Sequence, residues 1–313
     1  MILMKRMTKL LLLPALLLIS MSAVAQQDAM YTQYMFNTLA INPAYAGSRN
    51  VISATALARS QWTGIEGAPK TGTFTIDAPI MDKRFGIGLQ LMTDKLGVTQ
   101  TNGAALSLAY RIRLDEASLS FGVQGNVSQY RSNLSSVTTG STNAYDPAFA
   151  NDVRKTLFNF GTGVYYTTDK FFLGLSAQDL IPNALSEQGT TGDRIAGKQA
   201  LHVFLSSGYV FPLSEDFKLK PSFLVKYVHG APIEGDINGT LWIKDVIGIG
   251  AQYRTRADVS GILEIQATPQ FRIGYSYDRS TTRLQNFNSG SHEIMLRFEF
   301  GSERGRIISP RYF

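Results

Sequence analysis

The chain has no cysteine among its 313 residues. That excludes a disulfide scaffold, a thiolate metal site and a lipid anchor on a processed cysteine. Histidine is nearly as scarce, with only His202, His229 and His292. No pair of them stands at metal-ligand spacing, and no nucleophilic triad is legible around them. An enzyme would therefore have to be assembled from distant residues, as in a lipase-like or deacylase-like barrel. The expectation is a non-enzyme with no cofactor and no metal. Past the first 25 residues no apolar run reaches the roughly 18 residues that a membrane-spanning helix needs. Helix-period patterns are nearly absent too, which leaves an all-β chain.

The first residues fit an export signal. Lys5, Arg6 and Lys9 form a positive start, Leu10 to Ile19 an apolar stretch, and Ala23-Val24-Ala25 a small-residue cleavage site. Cleavage there makes Gln26 the mature N-terminus. Three of the 30 basic residues and none of the 24 acidic ones leave with the signal. The remaining charge, about +3, is too balanced to suggest nucleic acid as a partner.

From Val51 onward the sequence alternates by twos. In Ala117–Gln129, Leu119, Phe121, Val123 and Val127 oppose Ser118, Ser120, Gln124, Asn126 and Ser128. In Phe85–Thr93, apolar Phe85, Ile87, Leu89 and Leu91 oppose Gly86, Gly88 and Gln90. About fourteen such segments follow one another, near the 9–11 residues of tilted membrane strands, and an even count suits an antiparallel bacterial barrel. The connections read as alternating long and short along the whole chain, as periplasmic turns and outer loops do. Aromatics such as Tyr110, Tyr209, Phe211, Tyr227, Tyr253 and Phe300 fall near strand ends, where interfacial girdles lie. A soluble β-sandwich is the competing fold, but it has no reason to sort its loops or its aromatics in this way. The expected fold is a transmembrane antiparallel β-barrel of about 14 strands with an ordered N-terminal segment ahead of the first strand.

With the apolar face toward lipid, the other face lines the lumen. Walking the strands up and down places Arg111, Arg113, Lys218, Lys220, Arg272 and Arg297 near the periplasmic mouth, with Glu264 and Glu299 beside them. Such a ring is either a solvated set of mutual ion pairs or a grip on a plug, either the Gln26–Ser48 segment or the Gly301–Phe313 tail. Gly161-Thr162-Gly163 and Gly248-Ile249-Gly250 lack a following helix, so they read as lumen glycines and not phosphate cradles. Asp146-Pro147 and Asp152 in the longest loop could take calcium, but two acids in a polar loop read more simply as solvated surface.

Three stretches stand outside the alternation. Gln33 to Ser48, QYMFNTLAINPAYAGS, is broken by Asn42-Pro43 and Gly47-Ser48, and its Met35, Phe36, Leu39 and Ile41 need cover. Arg59-Ser60-Gln61-Trp62 leads into a loop, where Trp62 is either an interfacial anchor or a contact for an outside partner. The end, Ser309-Pro310-Arg311-Tyr312-Phe313, closes a basic and apolar tail. Together these stretches resemble the PorP/SprF family of outer-membrane proteins of the type IX secretion and gliding-motility system. The resemblance spans essentially the whole mature chain. It implies a partner-specific module that helps a secreted adhesin with a type IX C-terminal sorting domain reach or stay on the surface. Periplasmic components of the same system are further implied partners, and outer-membrane lipid surrounds the barrel. Asn42, Pro43, Tyr45, Gly47, Arg59, Trp62, Arg311, Tyr312 and Phe313 are the candidate partner-binding residues. The alternative function is a passive porin or small-solute transporter, which needs an open lumen. The expected organisation is a signal peptide over 1–25, an N-terminal segment over 26–50, a barrel over 51–300 and a periplasmic tail over 301–313.

Overall fold

The computed structural model describes residues 30–137, 151–185 and 197–300. Fourteen strands form one closed antiparallel sheet. They are β1 (Ile52–Ser60), β2 (Lys70–Ile80), β3 (Phe85–Leu96), β4 (Thr99–Arg113), β5 (Ala117–Ser132), β6 (Val153–Thr168), β7 (Phe171–Gln178) and β8 (His202–Tyr209). After a two-residue strand, β9 (Phe211–Pro212), come β10 (Phe217–Val228), β11 (Glu234–Ile243), β12 (Ile247–Arg254), β13 (Asp258–Gln266), β14 (Phe271–Ser280) and β15 (Ser291–Phe300). Each pairs with its chain neighbours, and β15 pairs back onto β1 from Ile52↔Phe300 to Ser60↔His292. Closure leaves no sheet edge, the condition for a strand-built membrane span.

The two-residue β9 has a local cause. It continues β8 in the same register on β10. The ladder breaks opposite Pro221, which has no N–H to donate. Val210 donates instead to the Lys170 carbonyl, at 2.8 Å.

Burial is inverted relative to a water-soluble protein. Phe158, Val123 and Leu106 are 63%, 58% and 57% exposed on the outer wall, whereas Glu264 and Glu293 are fully buried inside. Strand parity produces this directly, because successive side chains point to opposite faces. Tyr110, Tyr209, Phe211, Tyr227, Tyr253, Phe298 and Phe300 all lie on the exposed face.

One end of the barrel carries only short turns, at 81–84, 114–116, 169–170, 213–216, 244–246 and 267–270. By the rule for bacterial outer-membrane barrels this end is periplasmic. The other end carries the longer loops, but not strictly. The connections 97–98 and 255–257 are as short as the periplasmic turns. This corrects the expectation of long and short connections alternating along the whole chain. Gly97 at φ +57° and Arg256 at φ +60° adopt the left-handed conformation that lets the chain reverse so briefly.

Candidate functional site

The lumen is occupied by the chain's own N-terminal segment. Residues 31–46 are all buried, running through three single 3-10 turns at Tyr34–Phe36, Thr38–Ala40 and Pro43–Tyr45. The sequence dictates irregular backbone here. Asn42 is extended and its side chain accepts a hydrogen bond from the Ala44 amide at 3.0 Å, while Pro43 opens the third turn. The backbone polar groups therefore need partners from the barrel wall.

At the outer end, near the long loops, the wall supplies charge. The Glu293 carboxylate accepts the amides of Thr32 and Gln33 at 3.0 and 2.7 Å. Arg59 donates to Glu293 at 3.0 Å and to the Thr32 hydroxyl at 2.7 Å, and its other guanidinium nitrogen lies 2.7 Å from Asp278. The Thr32 hydroxyl in turn donates to Asp278 at 2.9 Å. Across the lumen Arg254, paired with Asp236 at 2.9 Å, donates to the Tyr31 carbonyl at 3.1 Å. One cation between two carboxylates, with two main-chain amides added, offsets much of the cost of burying these charges.

Midway, the Phe36 ring sits among three cations. Lys220 Nζ lies 5.2 Å from its centroid, and the Arg297 and Arg272 guanidinium carbons lie at 5.6 and 5.8 Å. Arg297 also donates to the Phe36 carbonyl. Glu264 Oε2 lies 4.0 Å from Arg272, whose guanidinium stacks over Trp242 at 4.8 Å. A cation over an aromatic face contributes about 2 kcal/mol when desolvated.

The inner half rests on glycine. A Cβ on Gly86 would strike the Ala46 carbonyl, one on Gly122 the Ala44 amide, and one on Gly163 the Asn42 side chain. These positions on β3, β5 and β6 form a shallow seat in the wall, with backbone against backbone at Gly86 and Gly122. Above the seat, Ser176 donates to the Ile41 carbonyl at 2.5 Å and Asn42 to the Val164 carbonyl at 3.0 Å. Below it, Gly47 takes φ +67° and donates to Asp77 at 2.8 Å, and Arg49 meets Glu299 at 2.5 Å. Tyr45 packs edge-on against Tyr165, with ring centres 5.4 Å apart. Asn42→Ala removes both the turn cap and the bond to Val164. It is expected to destabilise the protein by about 1–2 kcal/mol, read as a lower urea midpoint in detergent.

The structure places the sequence-predicted residues as follows. Asn42, Pro43, Tyr45 and Gly47 lie in the lumen, and Arg59 is a buried wall residue holding the segment. None of these five faces outward. Trp62, at φ +47°, is half-buried; its amide donates to Ser291 at 3.1 Å and it lines a cavity at the outer mouth. Arg311, Tyr312 and Phe313 lie outside the described residues. Of the charged ring, Arg111, Lys220, Glu264, Arg272 and Arg297 are buried in the lumen, and Glu299 binds Arg49. Two members differ from the expectation. Arg113 is exposed at the periplasmic turn, donating to the Asp82 carbonyl at 2.8 Å, and Lys218 pairs with Asp245 at 2.6 Å near the next turn. Arg113 is the last residue of β4 and Lys218 the second of β10, both at the periplasmic ends of their strands.

Sequence reasoning missed Glu293, Asp278, Asp236 and Arg254, the strongest holds on the segment. Their only signal is charge at inward parity near the outer end of β11, β12, β14 and β15. Among the described residues no three His, Asp or Glu side chains are grouped to hold a metal. Asp146 lies outside the described residues. Asp152 instead clasps its loop, because the Ser135 hydroxyl and amide bond it at 2.8 and 3.1 Å and hold its carboxyl below the usual range.

The description "type IX secretion system membrane protein PorP/SprF" belongs to the family whose pattern matches residues 23–298. No curated protein matches the chain. Among solved structures the chain is similar to CymD, a monoaromatic hydrocarbon channel, at 11% identity and TM-score 0.46, over 88% of this chain and 94% of that one. It is similar to a Pseudomonas aeruginosa FadL homologue at 14% identity and TM-score 0.45, over 80% and 89% of the two chains. For the KdgM porin the values are 9% identity and TM-score 0.41, over 80% and 99%.

Proposed function

The chain belongs to the PorP/SprF family of type IX secretion system membrane proteins, and on that premise we propose that it is a non-enzymatic outer-membrane barrel that binds a secreted adhesin. It supports that adhesin's secretion and its anchoring at the cell surface, the cargo bearing a type IX C-terminal sorting domain. The observation that favours this over a passive porin is the filled lumen. Residues 31–46 are buried there, bonded to both sides of the wall. A barrel so occupied suits a rigid scaffold that presents loops to a partner, since binding residues sit on loops fixed by such a scaffold. Trp62 at the outer mouth is the aromatic anchor of this reading, consistent with aromatic enrichment at binding hot spots. The periplasmic turns and the tail carrying Arg311, Tyr312 and Phe313 are the surface for periplasmic components of the secretion system.

Affinity purification of the barrel from outer membranes in mild detergent, followed by mass spectrometry, tests this. One large secreted adhesin is expected in near-stoichiometric amount, and Trp62→Ala should reduce its recovery several-fold, an effect of about 1–2 kcal/mol. Recovery of the barrel alone from cells that express their secreted proteins would overturn the reading.

A further inference from the structure

The membrane-facing wall is not uniform at its outer rim. Across β2 to β6 it carries one cross-strand row rich in cations. Lys70 pairs with Lys95, Lys95 with Gln100, Gln100 with Arg131, and Arg131 with Arg154. The four cations are all exposed, and at a strand spacing of about 4.8 Å the row is about 19 Å long. Two residues along each strand lies a polar row, Gly72, Thr93, Asn102, Gln129 and Thr156. Two residues further the apolar wall begins, with Phe74, Leu91, Ala104, Val127 and Phe158. The cations thus stand about 13 Å along the strand from the first apolar row, or about 9 Å along the membrane normal at a tilt near 45°. The polar headgroup layer of a bilayer lies at that height. On the opposite side of the barrel the next-to-last residues of β10 and β12 are Tyr227 and Tyr253, both exposed.

We propose that this row is a docking surface for the phosphorylated headgroup of an outer-leaflet lipid. The inference rests on the barrel's place and orientation in the outer membrane, not on the adhesin reading. Like charges set directly opposite on a sheet face are destabilising, and two such pairs stand here, Lys70 with Lys95 and Arg131 with Arg154. A phosphate across each pair turns that repulsion into charge-assisted hydrogen bonds, and guanidinium matches phosphate geometry. The midpoints of the two pairs are three strand spacings apart, about 14 Å, so a headgroup bearing two phosphates reaches both. The nearby carboxylates leave the row basic. Asp94 accepts the Thr71 hydroxyl at 2.6 Å on the inward side, and Asp152, near Arg154, is held by the Ser135 hydroxyl and amide. Glu66 lies in the loop above. With Lys70, Lys95, Gly67 and Gly97 it lines a cavity of about 420 Å³, which gives a headgroup room beside the two lysines.

The test is retention of purified, doubly phosphorylated lipid A by the folded full chain in neutral detergent, read by native mass spectrometry. Lipid A stripped of both phosphates is the comparison. Retention of the phosphorylated form is expected to be at least about tenfold higher. K70Q/K95Q/R131Q/R154Q should lose that preference, whereas the charge-keeping K70R/K95R/R131K/R154K should retain it. R279Q, at an exposed position on β14 outside the row, should also retain it. Equal retention of the two lipids by the unaltered protein would overturn the proposal without any variant having to fold. A preference that survives the four Gln substitutions, in protein shown folded by its gel shift, would place the lipid elsewhere and overturn it too. Displacement of lipid A by millimolar inorganic phosphate would make the free anion the ligand in place of the lipid.

Discussion

Arg59→Ala is expected to loosen the outer half of the luminal segment and lower the stability of the whole barrel. Arg59 stands between Glu293 and Asp278, and all three side chains are at most 2% exposed. Removing the cation leaves two buried carboxylates facing each other with only the Thr32 and Gln33 donors to offset them. Breaking a buried ion pair in this way costs about 3–5 kcal/mol, because the partner's desolvation is no longer offset. The loss reaches the segment directly, since Glu293 holds the Thr32 and Gln33 amides and Arg59 holds the Thr32 hydroxyl. The measurement is the temperature at which the barrel stops migrating as a folded species on semi-native gels. A fall of many degrees is expected for Arg59→Ala. Arg113→Ala, at the exposed periplasmic turn, should leave the temperature unchanged. Equal behaviour of the two variants would contradict the role assigned to Arg59.

Deleting residues 30–47 is expected to turn a silent barrel into a conducting one. The wall left behind is lined by Ser, Thr, Gln and Gly, with charged rings at Arg59, Glu293, Arg272 and Arg297. Water would solvate those groups once the segment is gone, and a fourteen-strand barrel is wide enough to leave an aqueous lumen. Removing only the outer half would not suffice, because Asn42 to Gly47 have their own seat on Gly86, Gly122 and Gly163. In planar bilayers the deletion variant should show discrete, steady current steps. A variant that folds, judged by its gel shift, yet stays silent would show that another part of the chain is the barrier.

The barrel itself was legible because its alternation is unusually pure. Ala117–Gln129 opposes Leu, Phe and Val to Ser, Gln and Asn with hardly a break, and the structure gives β5 over Ala117–Ser132. Strand ends were less legible. The tight turn at Gly97-Val98 was hidden because Met92 to Thr101 mixes polar and apolar residues on both faces and Gly97 alone marks the reversal. The need of Gln33 to Ser48 for cover was legible, and the lumen was one of the places the sequence offered for it, with the Gly301–Phe313 tail as the rival plug. Apolar side chains and a turn starter say only that the segment packs somewhere. The better signal lay in the wall, where Gly86, Gly88, Gly122, Gly163 and Gly274 share inward parity and leave room for the segment, its main chain at Gly86 and Gly122 and its Leu39, Asn42 and Gln33 side chains at the other three. The charged holds were legible in part: inward parity brought Lys220, Arg272 and Arg297 into a grip on the segment, whereas the hold by Arg59 and Glu293 could not be read. Arg59 and Glu293 are 234 residues apart in sequence and meet only because β1 closes the barrel against β15.

The central claim is that the chain closes its own barrel, and single-channel recording of the intact, folded protein tests it most directly. With residues 31–46 filling the lumen, repeated insertion into planar bilayers should give no steady ion current at moderate voltage. A stable open pore from the intact protein, with the segment present by mass, would contradict the account and favour a passive porin.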